Sequence, residues 1–97
     1  MRDHFVEIEG RVTQILSDDK IGSRHQRFII RLDDDSTRLI VHNIDVAPRV
    51  PITVGDRVRV RGALVESPQG GVLHRTHLDP QGDDPDGWVE HHKRRYE

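Results

Sequence analysis

In the run DRVRVRGALVES, residues 56–67, an apolar residue or glycine falls on every second position: Val58, Val60, Gly62 and Leu64 alternate with Arg57, Arg59, Arg61 and Ala63. A period of two fits a β-strand with one buried face and is wrong for a helix, whose apolar positions recur every three to four residues. The same alternation appears in HFVEIEGRVTQIL, with Val6, Ile8, Gly10 and Val12 on one side and Glu7, Glu9, Arg11 and Thr13 on the other. Its phase slips at Ile15 and Leu16, which predicts a bulge and a bent first strand. HQRFIIRL turns Phe28, Ile30 and Leu32 inward against Arg27 and Arg31, and TRLIVHNID is expected to turn Leu39 and Val41 inward against Arg38 and His42.

Turn-forming residues bound each run. SPQGG reads as a hairpin turn leading into a last strand, GVLHRTHL, while aspartates cluster in the expected turns LDDDS and QGDDPDG. VAPRVPITVGD carries two prolines and is too short for a regular helix, so it reads as an irregular crossover. Five strands, the first long and bent, with hairpins joining all but the third and fourth, is the order of an OB-fold barrel, an all-β fold. An SH3-like small barrel and an open meander are the alternatives. The expectation is one domain over residues 1–97, with the barrel at about 5–78 and a C-terminal tail at about 79–97 in which Trp88, the only tryptophan, packs the tail across one end.

A chain of 97 residues with 33% hydrophobic and 4% aromatic residues has a small core. It contains no cysteine, which excludes disulfides, thiolate nucleophiles and cysteine-type zinc sites, and fits a cytoplasmic setting. No apolar stretch approaches the roughly 18–20 residues that span a bilayer, so no membrane partner is expected. MRDHFVEIEG lacks the features of an export signal, so an exported form would need a leader upstream of it. A formal charge of −2 argues against gripping nucleic acid by bulk electrostatics. Arginines nevertheless line the expected outer face at Arg11, Arg27, Arg31, Arg38, Arg57, Arg59 and Arg61. With no aromatic residue among them for bases to stack on, pairing with Glu7, Glu9 and Glu66 on a solvated surface is favoured over tracking a single strand.

Chemistry concentrates in three polar motifs. Arg24, His25 and Arg27 in GSRHQRF sit where the first hairpin enters the second strand; His42, Asn43 and Asp45 lie in VHNID; and His74, Thr76, His77 and Asp79 lie in HRTHLDP. Arginine with histidine can hold a phosphate and move a proton, although Asn43 and Asp45 also suit the ordinary work of satisfying turn backbone. His25, His42, His77 and Asp79 offer imidazole and carboxylate donors for a divalent metal at an open site, the one cofactor these residues suggest. Their spacing matches no standard metal motif, and loop histidines bonded to backbone are the commoner outcome. Ser23 with His25 has no evident oxyanion hole and makes a poor nucleophile and base pair.

GSRHQRFIIRL, VHNIDVAPRVP, VGDRVRVRG, PQGGVLHRTHLDPQG and DGWVEH, in this order, resemble a family of small bacterial proteins of unknown function with an OB-type fold, over about residues 10–96. The chain departs from the pattern of that family at Arg75, where an aromatic is expected, and at Leu78, where another histidine is expected. The resemblance implies a binding scaffold and no particular activity. A binding module is expected ahead of an enzyme, its ligand anionic, a single-stranded nucleic acid or a phosphorylated small molecule, held where the three motifs meet at one barrel rim. A metal-dependent phosphodiesterase or nuclease using the same histidines, with Asp45, Asp79 and Arg24 in support, is the alternative from another class. A protein–protein adaptor using the barrel edge or the tail around Trp88 is the third.

Overall fold

A computed structural model describes residues 4–82 and 85–97. Asp83 and Asp84 of the expected QGDDPDG turn lie outside the described residues. The chain forms strands β1 (His4–Ile15), β2 (His25–Arg31), β3 (Thr37–Asn43), β4 (Arg57–Val65), β5 (Val72–His74), β6 (Trp88–His91) and β7 (Arg94–Tyr96), with no helix among the described residues. Accordingly, none of the described residues belongs to a helix long and apolar enough to cross a membrane.

The first five strands close on themselves in the order β1-β2-β3-β5-β4-β1, a closed barrel with the strand order of an OB-fold. One long strand closes it because β1 serves two neighbours. His4–Arg11 pairs with β4, and Arg11–Ile15 pairs with β2. The bend between the two pairings carries a register shift between Val12 and Gln14, two to three residues earlier than the apolar pattern at Ile15 and Leu16 suggests. Ile15 is instead nearly half exposed on the outside, which is why its hydropathy misplaces the slip.

The core gathers Val12, Phe28, Ile30, Ile40, Val50, Val58, Val60, Leu73, Val89 and Tyr96, with Val6, Ile8, Leu32, Ile52 and Leu64 packed around it. Strand β3 has the opposite phase to the one its hydropathy predicts. Phe28 faces Ile40 and Gln26 faces His42 across the β2–β3 ladder, so Ile40 and His42 point inward, both fully buried, while Leu39 and Val41 turn outward and stay half-buried. Leu39 finds apolar cover there, in an outer groove of about 300 Å³ shared with Leu16, Ile29 and Val72.

The crossover of residues 44–56 is irregular, as the prolines predict. Its anchor is the buried amide of Gln26, which donates from Nε2 to the carbonyl of Val50 (2.8 Å) and accepts the Val50 N–H at Oε1 (2.9 Å). This side chain does for the crossover what a ladder partner does for a strand, satisfying both polar groups of a residue that is itself buried. Gln26→Leu leaves the Val50 N–H without a partner in an apolar setting, while the Val50 carbonyl keeps the Ile52 N–H (2.9 Å). An equilibrium urea melt should show a loss of about 1–3 kcal/mol; a loss below about 0.5 kcal/mol would mean the crossover is anchored elsewhere.

The tail ends in a β-hairpin of β6 and β7. β6 pairs with Val58–Arg61 of β4, directly beside the Ala63–Val65 stretch that pairs with β5. Strands β5 and β6 therefore occupy one edge of β4 in succession, and the chain leaves the barrel wall after His74 and rejoins it at Trp88. Trp88 is buried at the start of β6, with the Arg95 guanidinium 4.1 Å from its ring centroid.

Candidate functional site: a polar cleft at one barrel rim

The strand directions decide which residues meet. β3 and β5 run parallel, so Asn43 and His74 end at the same rim, and β2 runs antiparallel to β3, so its first residue, His25, opens there opposite Asn43. The excursion after β5 folds back over this rim. The result is a cleft of about 360 Å³ lined by His25, Asn43, His74, Arg75, His77, Asp79, Pro80 and Gln81. Five of the residues singled out in the sequence (His25, Asn43, His74, His77 and Asp79) share this wall.

The histidines differ in state. His25 donates from Nδ1 to the carbonyl of Ser23 (2.9 Å) and His77 from Nδ1 to the carbonyl of Leu78 (2.7 Å), so in the neutral form of each ring Nε2 carries the lone pair. His74 is half-buried, its Nε2 shielded from solvent. His42 lies beneath the cleft. Its Nε2–H donates to the carbonyl of Pro48 (2.9 Å), which makes Nδ1 the acceptor of the Thr76 hydroxyl (2.7 Å). Burial pushes the His42 pKa below its ordinary value of 6.5, and the nearby His77 and His25 act in the same direction. Thr76 is likewise fully buried. The His42–Thr76 pair is the floor of the site and not part of its surface.

Other residues of the three motifs shape the surroundings. Asp45 accepts from the backbone N–H of Arg24 (3.0 Å) and from its Nε (3.2 Å), and these bonds, the backbone one first, hold its carboxyl below the usual carboxylate range. Asn43 accepts the Asp45 N–H, the turn-satisfying role its residue type suggests. Asp79 accepts the N–H of Gln81 while its own N–H donates to Asp86, so it also organises the loop. Arg27 is turned away to the carbonyl of Ser17.

Both ring nitrogens of His42 are engaged, so it offers no lone pair to a metal. Among the described residues, the metal-ligating side chains whose donor atoms converge within 4.8 Å are Asp56, His91 and His92, away from the cleft. The three outer-face arginines of β4 are occupied. Arg57 pairs with Glu9 and Asp33, Arg59 with Glu7, Glu9 and Glu90, and Arg61 donates to the carbonyl of Asp86. The hydrogen bond from Arg57 is the main reason the Glu9 carboxyl lies below its ordinary value.

Sequence reasoning left Arg75 out of the site. It lies between two site residues, but a strand reading points it away from them. In the structure it has a φ of 58°, in the left-handed region that a bulky side chain rarely adopts, and it lines the cleft. Backbone held in such a conformation beside a polar cleft is a common mark of a site whose surroundings over-determine it.

Fold and cleft together define a small OB-fold-like barrel with a histidine- and arginine-lined rim. The chain belongs to the family described as protein of unknown function (DUF3465), whose model matches residues 2–97. No curated protein matches it.

Proposed function

We propose that this protein is a binding module that takes a phosphorylated small molecule, or the phosphate of a single nucleotide unit, in the rim cleft. The observation that carries the reading is the convergence of His25, His74, Arg75 and His77 on one cleft of about 360 Å³. An arginine provides a planar charged donor for phosphate oxygens, and imidazoles add donors that strengthen when protonated. Asp79, the one acid of the lining among the described residues, donates nothing to an anion, and its bond to the Gln81 N–H directs part of its charge into the loop.

The cleft is the size of a small ligand, and the outer arginines of β4, Arg57, Arg59 and Arg61, already have carboxylate or carbonyl partners. Both facts favour a compact phosphate over a long single strand, which needs a continuous basic track with stacking aromatics. A metal-dependent phosphodiesterase at the same rim receives less support, because His42 has no free donor atom.

The test is an NMR titration with inorganic phosphate and then with a nucleoside monophosphate. Saturable shifts should map to His25, His77 and the 74–81 loop, and Arg75→Ala should weaken binding by about tenfold or more, the loss of a hydrogen bond to a charged group. Shifts confined to other surfaces, or an affinity indifferent to Arg75→Ala and His77→Ala together, would remove the cleft as the binding site.

A further inference from the structure

We propose that Asp56, His91 and His92 form a binding site for one divalent transition-metal ion of the zinc type, separate from the rim cleft. The argument begins with the last hairpin. His91 pairs with Arg94, so β6 and β7 are joined by two residues only, His92 and Lys93, with φ of 49° and 67°. Two left-handed residues make a type I′ turn, a place usually taken by Asn-Gly because a larger side chain there costs about 1–2 kcal/mol. The chain carries histidine in the first of these positions.

This turn brings together two rings that a continuous strand would point to opposite faces. The His91 and His92 rings stack with centroids 3.8 Å apart and planes 22° from parallel. Asp56, immediately before β4, completes the group. Its Oδ2 accepts the Nε2–H of His91 (2.8 Å) and the N–H of Thr53 (3.0 Å), so the carboxylate is held from two sides, and His91 is itself buried at 3% exposure.

One donor atom from each of the three residues lies within 4.8 Å of the others. Around a zinc ion, with bonds of about 2.0–2.2 Å, tetrahedral ligands stand about 3.4 Å apart. Closing the group takes about an ångström of side-chain movement by that measure, and His92 is exposed and able to make it. The hydrogen bond from His91 to Asp56, which the ion replaces, keeps those two donors adjacent beforehand. Two imidazoles and one carboxylate suit a borderline ion, whereas magnesium and calcium call for six or more oxygens. Three protein ligands leave a coordination position for water.

The experiment is calorimetric titration of the whole protein with zinc in a non-coordinating buffer, paired with the visible absorption of added cobalt as a report on ligand geometry. Unmodified protein should bind one equivalent saturably and give the intense bands of a four-coordinate cobalt site. His92→Asn is the decisive variant, because asparagine is at home in the first position of the turn and the fold is retained. It should lower zinc affinity by about tenfold or more, as the loss of a ligand does, and abolish the cobalt bands. The proposal is overturned if the unmodified protein shows no saturable binding, if His92→Asn binds as well as the unmodified chain, or if binding is lost on His77→Ala while His92→Asn has no effect.

Discussion

His42→Ala is expected to destabilise the protein by about 3–5 kcal/mol, the sum of a cavity at a fully buried ring and two polar groups left without partners. The groups are the Thr76 hydroxyl, which loses its acceptor, and the Pro48 carbonyl, which loses its donor. Against a total stability typically of about 5–15 kcal/mol for a small domain, that is a large share. In a chain of this size it should lower the melting temperature by roughly 15 °C or more.

The effect should also depend on pH in one direction. Burial depresses the His42 pKa in the folded state below 6.5, so on acidification the unfolded chain takes up a proton that the folded chain refuses. The contribution of His42 is therefore full above about 6.5, the value for the unfolded chain, and is lost as the pH falls toward its lowered folded value. The stability gap between the unmodified protein and His42→Ala should narrow below pH 6.5, by up to roughly 1.4 kcal/mol per pH unit. Denaturant melts at several pH values check this, and parallel curves would show that His42 does not carry a depressed pKa.

Why the sequence placed this ring outside has a physical answer. Hydropathy distinguishes Leu39 and Val41 from Arg38 and His42, and on that basis alone the apolar pair goes inward. Burial of an imidazole is decided by whether both nitrogens find partners, and here those partners are Thr76, 34 residues away, and a carbonyl in the crossover. No local pattern encodes them. The rim was readable for the opposite reason. His25, Asn43 and His74 stand at strand ends, and once the five-strand order is inferred, the directions of β2, β3 and β5 bring those ends together.

Positions governed by a positive φ were the ones that escaped. Arg75 enters the cleft, and His92 stacks on His91, through left-handed backbone at residues whose types do not advertise it. A glycine or asparagine at either place would have signalled a turn. The hairpin of β6 and β7 was missed as a strand pair because its two strands are four and three residues long, too short for alternation to register.

Gly87→Ala is the second change with a large expected effect, and it connects the barrel wall to the cleft. Gly87 closes the excursion that starts at Arg75. Its N–H donates to the carbonyl of His77 (2.8 Å), and the chain there lies so close to its neighbours that an added methyl would meet the Arg75 carbonyl, stand 2.7 Å from the Arg61 carbonyl and 2.9 Å from the Thr76 Cα. All three obstacles are backbone or backbone-adjacent, so none can rotate away. Either the Arg75–Thr76 segment shifts or β6 separates from β4.

Both responses cost stability, about 2–4 kcal/mol by comparison with overpacked sites, and the first also displaces Arg75 and loosens the Thr76 hydroxyl from His42. Gly87→Ala should therefore lower the melting temperature and weaken phosphate binding at the cleft together, although residue 87 does not line it. Gly82→Ala supplies the comparison. It lies in the same excursion with a φ of 72° and nothing within 4 Å of the added methyl, so its cost is the left-handed conformation alone, about 1–2 kcal/mol. If the two variants lose the same stability and bind phosphate equally, the close approach at Gly87 does not hold the cleft in shape. If only Gly87→Ala loses binding, the geometry of the site depends on a backbone contact made outside it.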